Sequence, residues 1–431
     1  MGKTMTRAVG LGVVLTALLY ALACSAVRPQ PSSLSSPPAT TLGTQPAPPS
    51  RSQPAPEVPA EWRALYQELS AELKVFENLV RKDRDGSHSE VTIAVELAYA
   101  NSNVGEWLLS EQVWQYNLLL LDRLEAMGVK GVVIAIKFPL LEPDFPRSAE
   151  YPRFFKNIVA ECRRRGLKVL VEGGAIFSGT PYSPVKVDWS KYTVDSLLQG
   201  FQRELLLIAS EVEPDYLNLT NEPLTQQWLT GLSIPPAIWN NFVADTLRKI
   251  DKSSGVLVGA GIGTWEPAEY IQGLFNMPSL DYIDLHIYPL GRDALYVERA
   301  LEYIRRAKAA GKRLTVSESW LWKAMPEELN AGGLGDEKVM NRDAYSFWQP
   351  LDIWFIHNMV GLADATQMDL VSFFWTRNFF GYLEYGPTTK NLSTAEVNRA
   401  LNQLCLRNVL AGNLSPLGED FAELLHQQQR N

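Results

Sequence analysis

From Val91 onward, short runs rich in β-branched and apolar side chains alternate with longer segments whose apolar residues recur every three or four positions. Runs of that composition are strands buried on both faces, and strands separated by helical crossovers lie parallel in one sheet. The runs are Val91–Leu97, Gly131–Lys137, Lys168–Glu172, Tyr216–Thr220, Val256–Ala260, Tyr282–His286, Arg313–Ser317 and Val371–Trp375. Helical periodicity fills the intervals at Glu111–Met127, Tyr151–Arg165, Val194–Glu211, Pro235–Lys252, Val297–Ala310 and Glu337–Ala363, and returns at Ala395–Leu410. Glu266–Phe275 is the weakest of these patterns. Eight βα units predict a (β/α)8 TIM barrel, a fold of about 250 residues that grows with loop insertions. An open doubly wound sheet is the competitor. It calls for a glycine-rich phosphate turn after an early strand, and Gly173-Gly174 falls short of G-x-G-x-x-G. One further amphipathic stretch, Glu61–Arg84, places Trp62, Leu65, Leu69, Leu73, Phe76 and Leu79 at helical steps. It predicts an N-terminal helix on the outside or bottom of a single domain spanning residues 60–431.

The residues ahead of that domain have a different chemistry. Lys3 and Arg7 precede an apolar run, Val9–Ala23, too short to cross a bilayer comfortably and laid out as a signal peptide over residues 1–23. It ends Ala21-Leu22-Ala23-Cys24, which resembles the lipobox of bacterial lipoproteins, although Ala21 stands where leucine is more usual. The resemblance implies lipidation of Cys24, hence export and anchoring at the cell surface or periplasmic membrane face; plain secretion is the alternative. Residues 24–59 are dominated by Pro, Ser, Thr, Ala and Gln and predict a disordered tether, with a reach on the order of 90 Å when fully extended.

Composition narrows the partners. A net charge of −8 provides no broad positive field for phosphates, so nucleic acid is excluded and a neutral or weakly polar substrate is favoured. The four histidines, His88, His286, His357 and His426, show no zinc-ligand spacing, so no metal and no cofactor is expected. Three cysteines cannot pair fully, and Cys162 and Cys405 sit in apolar helical patterns as small core residues.

In a barrel of this kind the chemistry sits at the C-terminal ends of the strands. Glu96 ends the first, Lys137 the second, Glu172 the third, Asn221-Glu222-Pro223 the fourth, His286 and Tyr288 the sixth, Glu318 the seventh and Trp375 the eighth. The segments "YLNLTNEP", "DLHIYP" and "RLTVSESW" at strands four, six and seven resemble the clan A retaining glycoside hydrolases, which include many cellulases, mannanases and galactanases. The resemblance implies that Glu222 is the acid/base and Glu318 the nucleophile. Retention needs two carboxyls about 5–5.5 Å apart, and strands four and seven face each other across a ring of eight. Mutual repulsion is then expected to raise the pKa of the acid.

The same resemblance implies supporting roles. Asn221 would donate to the sugar 2-hydroxyl, Tyr288 would hydrogen-bond the nucleophile, His286 would line the wall, and Trp375 would lie beneath the sugar. Trp265 and Trp320 join Trp107, Trp189, Trp228 and Trp322 in segments that follow strands, a bias that suits sugar rings. Lys137 stands where many families of the clan carry an arginine, and it offers charge without a bidentate fork. Glu96 and Glu172 are rival carboxylates, able to bind a hydroxyl or pair with Lys137. The expected function is hydrolysis of a β-linked glucan, mannan or galactan outside the cell by a monomer, with endo-action favoured by tether and aromatic loops. Transglycosylation with the same carboxylates, or glycan binding without cleavage, are the alternatives.

Overall fold

The computed structural model describes residues 57–83, 90–180, 183–324, 327–328, 339 and 341–430. The expected signal peptide, Cys24 and nearly all of the tether lie outside the described residues.

Eight parallel strands close on themselves: β1 (Thr92–Glu96), β2 (Gly131–Ala135), β3 (Lys168–Glu172), β4 (Tyr216–Asn218), β5 (Leu257–Gly263), β6 (Tyr282–Ile287), β7 (Arg313–Ser319) and β8 (Leu370–Phe373). Each pairs with the next, and β8 pairs back onto β1. All eight expected strands are present, with ends shifted by at most three residues. Around them run α1 (Arg63–Asp83), α2 (Glu111–Met127), α3 (Tyr151–Arg164), α4 (Val194–Leu207), α5 (Pro223–Thr230), α6 (Pro236–Lys249), α7 (Glu269–Phe275), α8 (Leu295–Ala309), α9 (Gln349–Ala365), α10 (Thr394–Ala411) and α11 (Pro416–Gln428). The N-terminal helix α1 lies on the outer wall along α9, where Phe76 meets Phe355 edge-on and Asn358 donates to the Leu73 carbonyl.

Local chemistry explains several ends. Ser110 caps α2 through the Val113 N–H, and left-handed Gly128 closes that helix. Ser393 and Glu396 form a reciprocal capping box on α10. Two expectations need correction. Of the helical pattern Glu337–Ala363, the stretch from Asn341 forms two 3-10 turns, Asn341–Ala344 and Ser346–Trp348, before α9 begins at Gln349, because Pro350 belongs in a first turn and cannot donate from within a helix. The helices α5 and α11 were not expected at all; both open on a proline, and α5 has only eight residues. Cys162 and Cys405 are buried and unpaired, as core residues would be.

The barrel interior is layered. Ala94, Val133, Leu170, Tyr216, Tyr282 and Leu370 form a small apolar cluster separate from the large core between sheet and helices, with Leu257 packed on it. Two residues further along the strands the inward positions change character: Glu96, Glu172, Asn218, Asp284 and Ser372 replace hydrocarbon. Strand β5 makes room with glycine. A Cβ on Gly259 would lie 2.1 Å from the Tyr282 ring, and one on Gly261 would lie 1.8 Å from the Asp284 carbonyl oxygen. The apolar layer thus plugs the barrel, and the polar layer above it forms the floor of a site.

Candidate active site

His286 is the hub of that floor. Its Nδ1 lies 2.7 Å from Glu222 Oε1 and 3.5 Å from Glu318 Oε2, while its Nε2 lies 3.0 Å from Ser317 Oγ and 3.2 Å from Glu172 Oε1. Carboxyl oxygens of Glu222 and Glu318 fall within 4.8 Å of each other. Both residues are largely covered, at 3% and 7% exposure.

Each carboxylate is held by its own element. Glu222 directly precedes α5, and Thr225, one turn on, donates its hydroxyl to Glu222 Oε2 at 2.6 Å. Asn221 accepts from the Glu222 N–H through Oδ1. The first turn of α5 is tied to β5 by Glu266, whose carboxylate accepts from the Leu224 and Gly263 N–H groups. Across the mouth, the Tyr288 hydroxyl donates to Glu318 Oε2 at 2.8 Å. Its ring is fixed by edge contacts with Trp265, Trp322 and Phe374.

Glu318 reaches the mouth through an irregularity. Pairing between β6 and β7 runs Asp284↔Thr315 and then His286↔Glu318, so β7 carries one extra residue. Strict alternation would turn Thr315 and Ser317 inward and Glu318 outward. The bulge lets Ser317 and Glu318 both face the interior, which is how bulges re-aim side chains beside active sites. Asp284 anchors the distortion: it accepts from the Ser317 N–H and Oγ, from Thr315 Oγ1, and from Asn218 Nδ2 on β4.

Charge is concentrated here. Burial pulls the His286 imidazole down, but Glu318, Glu172 and Glu222 together hold it well above its ordinary value and favour the charged ring. Burial pushes Glu172 up, yet His286 and Lys137 prevail and take it to about 2. Lys137 Nζ is 3.7 Å from Glu172 Oε2 and donates to the Gly173 carbonyl at 3.2 Å. Lys137 therefore serves Glu172, the pairing allowed by the sequence. Glu96 accepts from Asn101 and is driven by burial to about 8. Burial and the Glu172 charge push Glu318 well above the usual carboxylate range, against the pull of His286. The Glu222 charge adds to this push through mutual repulsion, here on the carboxyl assigned as nucleophile. His286, Glu222 and Glu318 are close enough to hold a metal ion. They already satisfy one another, since both His286 nitrogens are engaged by carboxylate and hydroxyl groups.

The tryptophans divide. Trp265 and Trp107 are half-buried, whereas Trp375 and Trp320 are fully covered, backed by Arg377 and Lys323 over their rings. Neither covered ring presents a face to solvent, so the expected platform at Trp375 is not open in this arrangement. Sequence reasoning missed Thr225, Glu266, Asp284 and Ser317. Asp284 lies two residues before His286 on one strand and thus on one face, and Thr225 lies one helical turn after Glu222; those spacings were the available signals.

No family model matches the sequence, and no curated protein matches it. Solved structures do match. The GH5_18 protein of Bifidobacterium longum subsp. longum aligns over 80% of each chain at 16% identity with a TM-score of 0.51. The exo-β-1,4-mannosidase Op5Man5 of Opitutaceae bacterium strain TAV5 aligns over 80% of this chain and 61% of its own at 15% identity, TM-score 0.46. The endo-β-1,4-glucanase Xac0029 of Xanthomonas axonopodis pv. citri aligns over 74% and 99% at 12% identity, TM-score 0.44. At such identities the likeness concerns the fold alone: the chain shares its (β/α)8 barrel with the GH5_18 protein.

Proposed function

We propose that the protein is a retaining glycoside hydrolase acting on a β-linked glycan, with Glu318 as nucleophile and Glu222 as acid/base. The observation that carries this reading is the Glu222–Glu318 pair, with oxygens within 4.8 Å at the ends of opposed strands. Inverting enzymes hold their carboxyls about 6.5–9.5 Å apart to admit a water, so the closeness favours direct attack. Glu318 Oε attacks the anomeric carbon and forms a glycosyl ester while the proton on Glu222 passes to the leaving oxygen. Water, deprotonated by Glu222, then cleaves the ester.

The charge balance suits that cycle. Two carboxyls this close repel each other when both are ionised, and the first step consumes one proton, delivered by Glu222. The Tyr288 hydroxyl and the charged His286 ring stabilise the ionised Glu318. Export and anchoring through Cys24 complete the proposal, and a Cys24→Ser variant should be released from membranes and lose fatty-acid labelling.

The direct test is turnover of activated aryl β-glycosides, followed by a polysaccharide panel with product sizing. Glu318→Gln should lower kcat by at least about 10⁴-fold, in line with loss of a nucleophile. An inert wild-type protein, or a Glu318→Gln variant with undiminished turnover, would sink the assignment.

A further inference from the structure

A cavity of about 440 Å³ opens on the barrel face that carries the glutamates, at the rim formed by the loops after β1, β2 and β3. Among its lining residues are Trp107, Phe145, Tyr151 and Val185, together with the exposed Glu106 and Lys186. We propose that this cavity is a subsite for a distant ring of a β-linked hexose chain whose cleavage point lies at Glu222 and Glu318. The inference rests on the hydrolase reading for the position of the cleavage point, and on the cavity itself for the sugar.

Three features support a sugar. The volume lies within the roughly 300–1,000 Å³ of small-molecule sites, which combine apolar walls with a few polar groups. Half-buried Trp107 and Phe145 bring aromatic surface to the cavity, and a pyranose has apolar C–H faces that stack on rings while its hydroxyls seek polar groups. Polar groups for those hydroxyls are at hand in Lys186 and the Arg147-paired Glu106, both exposed.

The cavity is also built in advance. Arg147, in the left-handed region at φ 61°, donates to Glu106 and to Glu150, tying the β1 loop to the β2 loop. Asn103 accepts from the Phe177 N–H through its side chain and from Ser183 Oγ through its carbonyl, tying the β1 loop to the β3 loop. Gly105, at φ +67°, passes so near Val185 that a Cβ there would lie 2.6 Å from it. The chain of contacts reaches the site floor, because Asn101 accepts from the Asn103 N–H while its amide donates to Glu96. Strain at Arg147 held by flanking ion pairs is the kind of cost retained where a loop must keep one shape.

The test is calorimetric binding to the Glu318→Gln protein of cellohexaose, mannohexaose and laminarihexaose, each against its disaccharide. At least one hexaose should bind about tenfold or more tightly than its disaccharide. Adding Trp107→Ala should erase that gain, and Trp107→Phe should keep most of it. Because Trp107 also packs edge-on to Tyr116, Lys186→Ala serves as the variant that disturbs no core contact, with an expected several-fold loss for the hexaose alone. Equal affinities for hexaose and disaccharide in all three series, or a length gain that survives Trp107→Ala, would overturn the subsite. If the wild-type protein cleaves no aryl glycoside or polysaccharide while Trp107→Ala still abolishes the length gain, the hydrolase reading fails and the sugar site stands.

Discussion

At the scale of single residues, the site is a relay in which one imidazolium is shared by several carboxylates. Tyr288 donates to Glu318, and a hydrogen bond to a charged group contributes about 1.5–3 kcal/mol. Tyr288→Phe should therefore reduce kcat/KM on an aryl glycoside by roughly 10- to 100-fold. An unchanged value would show that Glu318 needs no donor. Glu172 acts through others and is a positioning residue. Its charge raises Glu318 more than the His286 cation lowers it, so Glu172→Gln should let Glu318 ionise at lower pH. The acidic limb of the kcat/KM profile should move down, which a pH–rate series measures; a limb that stays in place or rises contradicts the relay. Glu222, Glu318, His286 and Tyr288 were legible because strand ends are visible in sequence. The link from Glu172 through His286 was not, because it joins strands far apart in the chain.

At the scale of elements, two strands do the positioning. Strand β5 is thinned by glycine so that β6 can bring Tyr282 and Asp284 into the interior. Gly261→Ala would press a methyl onto the Asp284 backbone, which cannot move independently of the sheet. A loss of about 3 kcal/mol is expected, the upper end for overpacking, as measured by urea unfolding. A variant as stable as wild type would mean that β5 and β6 can part without cost. Strand β7 carries the bulge. Sequence parity alone gives "RLTVSES" an inward Thr315 and Ser317 and an outward Glu318; Asp284, holding both Ser317 and Thr315, reverses the last of these. Helix α5 was missed because its eight residues are too few to show periodicity, yet it carries Thr225 and presents the Leu224 N–H to Glu266.

For the whole molecule, the balance of buried carboxyls sets how stability depends on pH. Glu96 and Glu204 are buried and raised from 4.5 to about 8, so the folded protein binds protons there that the unfolded chain releases. The stability they contribute is complete below pH 4.5 and is lost as pH rises through about 8. Glu172 works the other way: lowered to about 2, it contributes stability above pH 4.5 that is lost as pH falls. Tm should accordingly peak at about pH 5 and decline towards pH 8 and towards pH 2, as scanning calorimetry would show. Glu96→Gln should flatten the alkaline decline, since the amide has no proton to lose; a Tm that climbs between pH 5 and 8 would contradict this.

The sequence by itself determined the barrel, because eight apolar β-branched runs separated by amphipathic helices bury their surfaces in few other ways. It also determined which residues stand at the strand ends, since chain order and side-chain period are local properties. Tertiary structure decided which of those residues meet. The bulge that turns Glu318 inward depends on Asp284 from a neighbouring strand, and the pairing of Lys137 with Glu172 depends on adjacent strand ends. The covering of Trp375 and Trp320 depends on neighbours such as Phe374, Arg377, Phe379 and Lys323, which meet those rings only in the folded chain. The direction of the shift on Glu318 likewise follows from burial and from charges gathered by the closed sheet, quantities that no stretch of sequence contains.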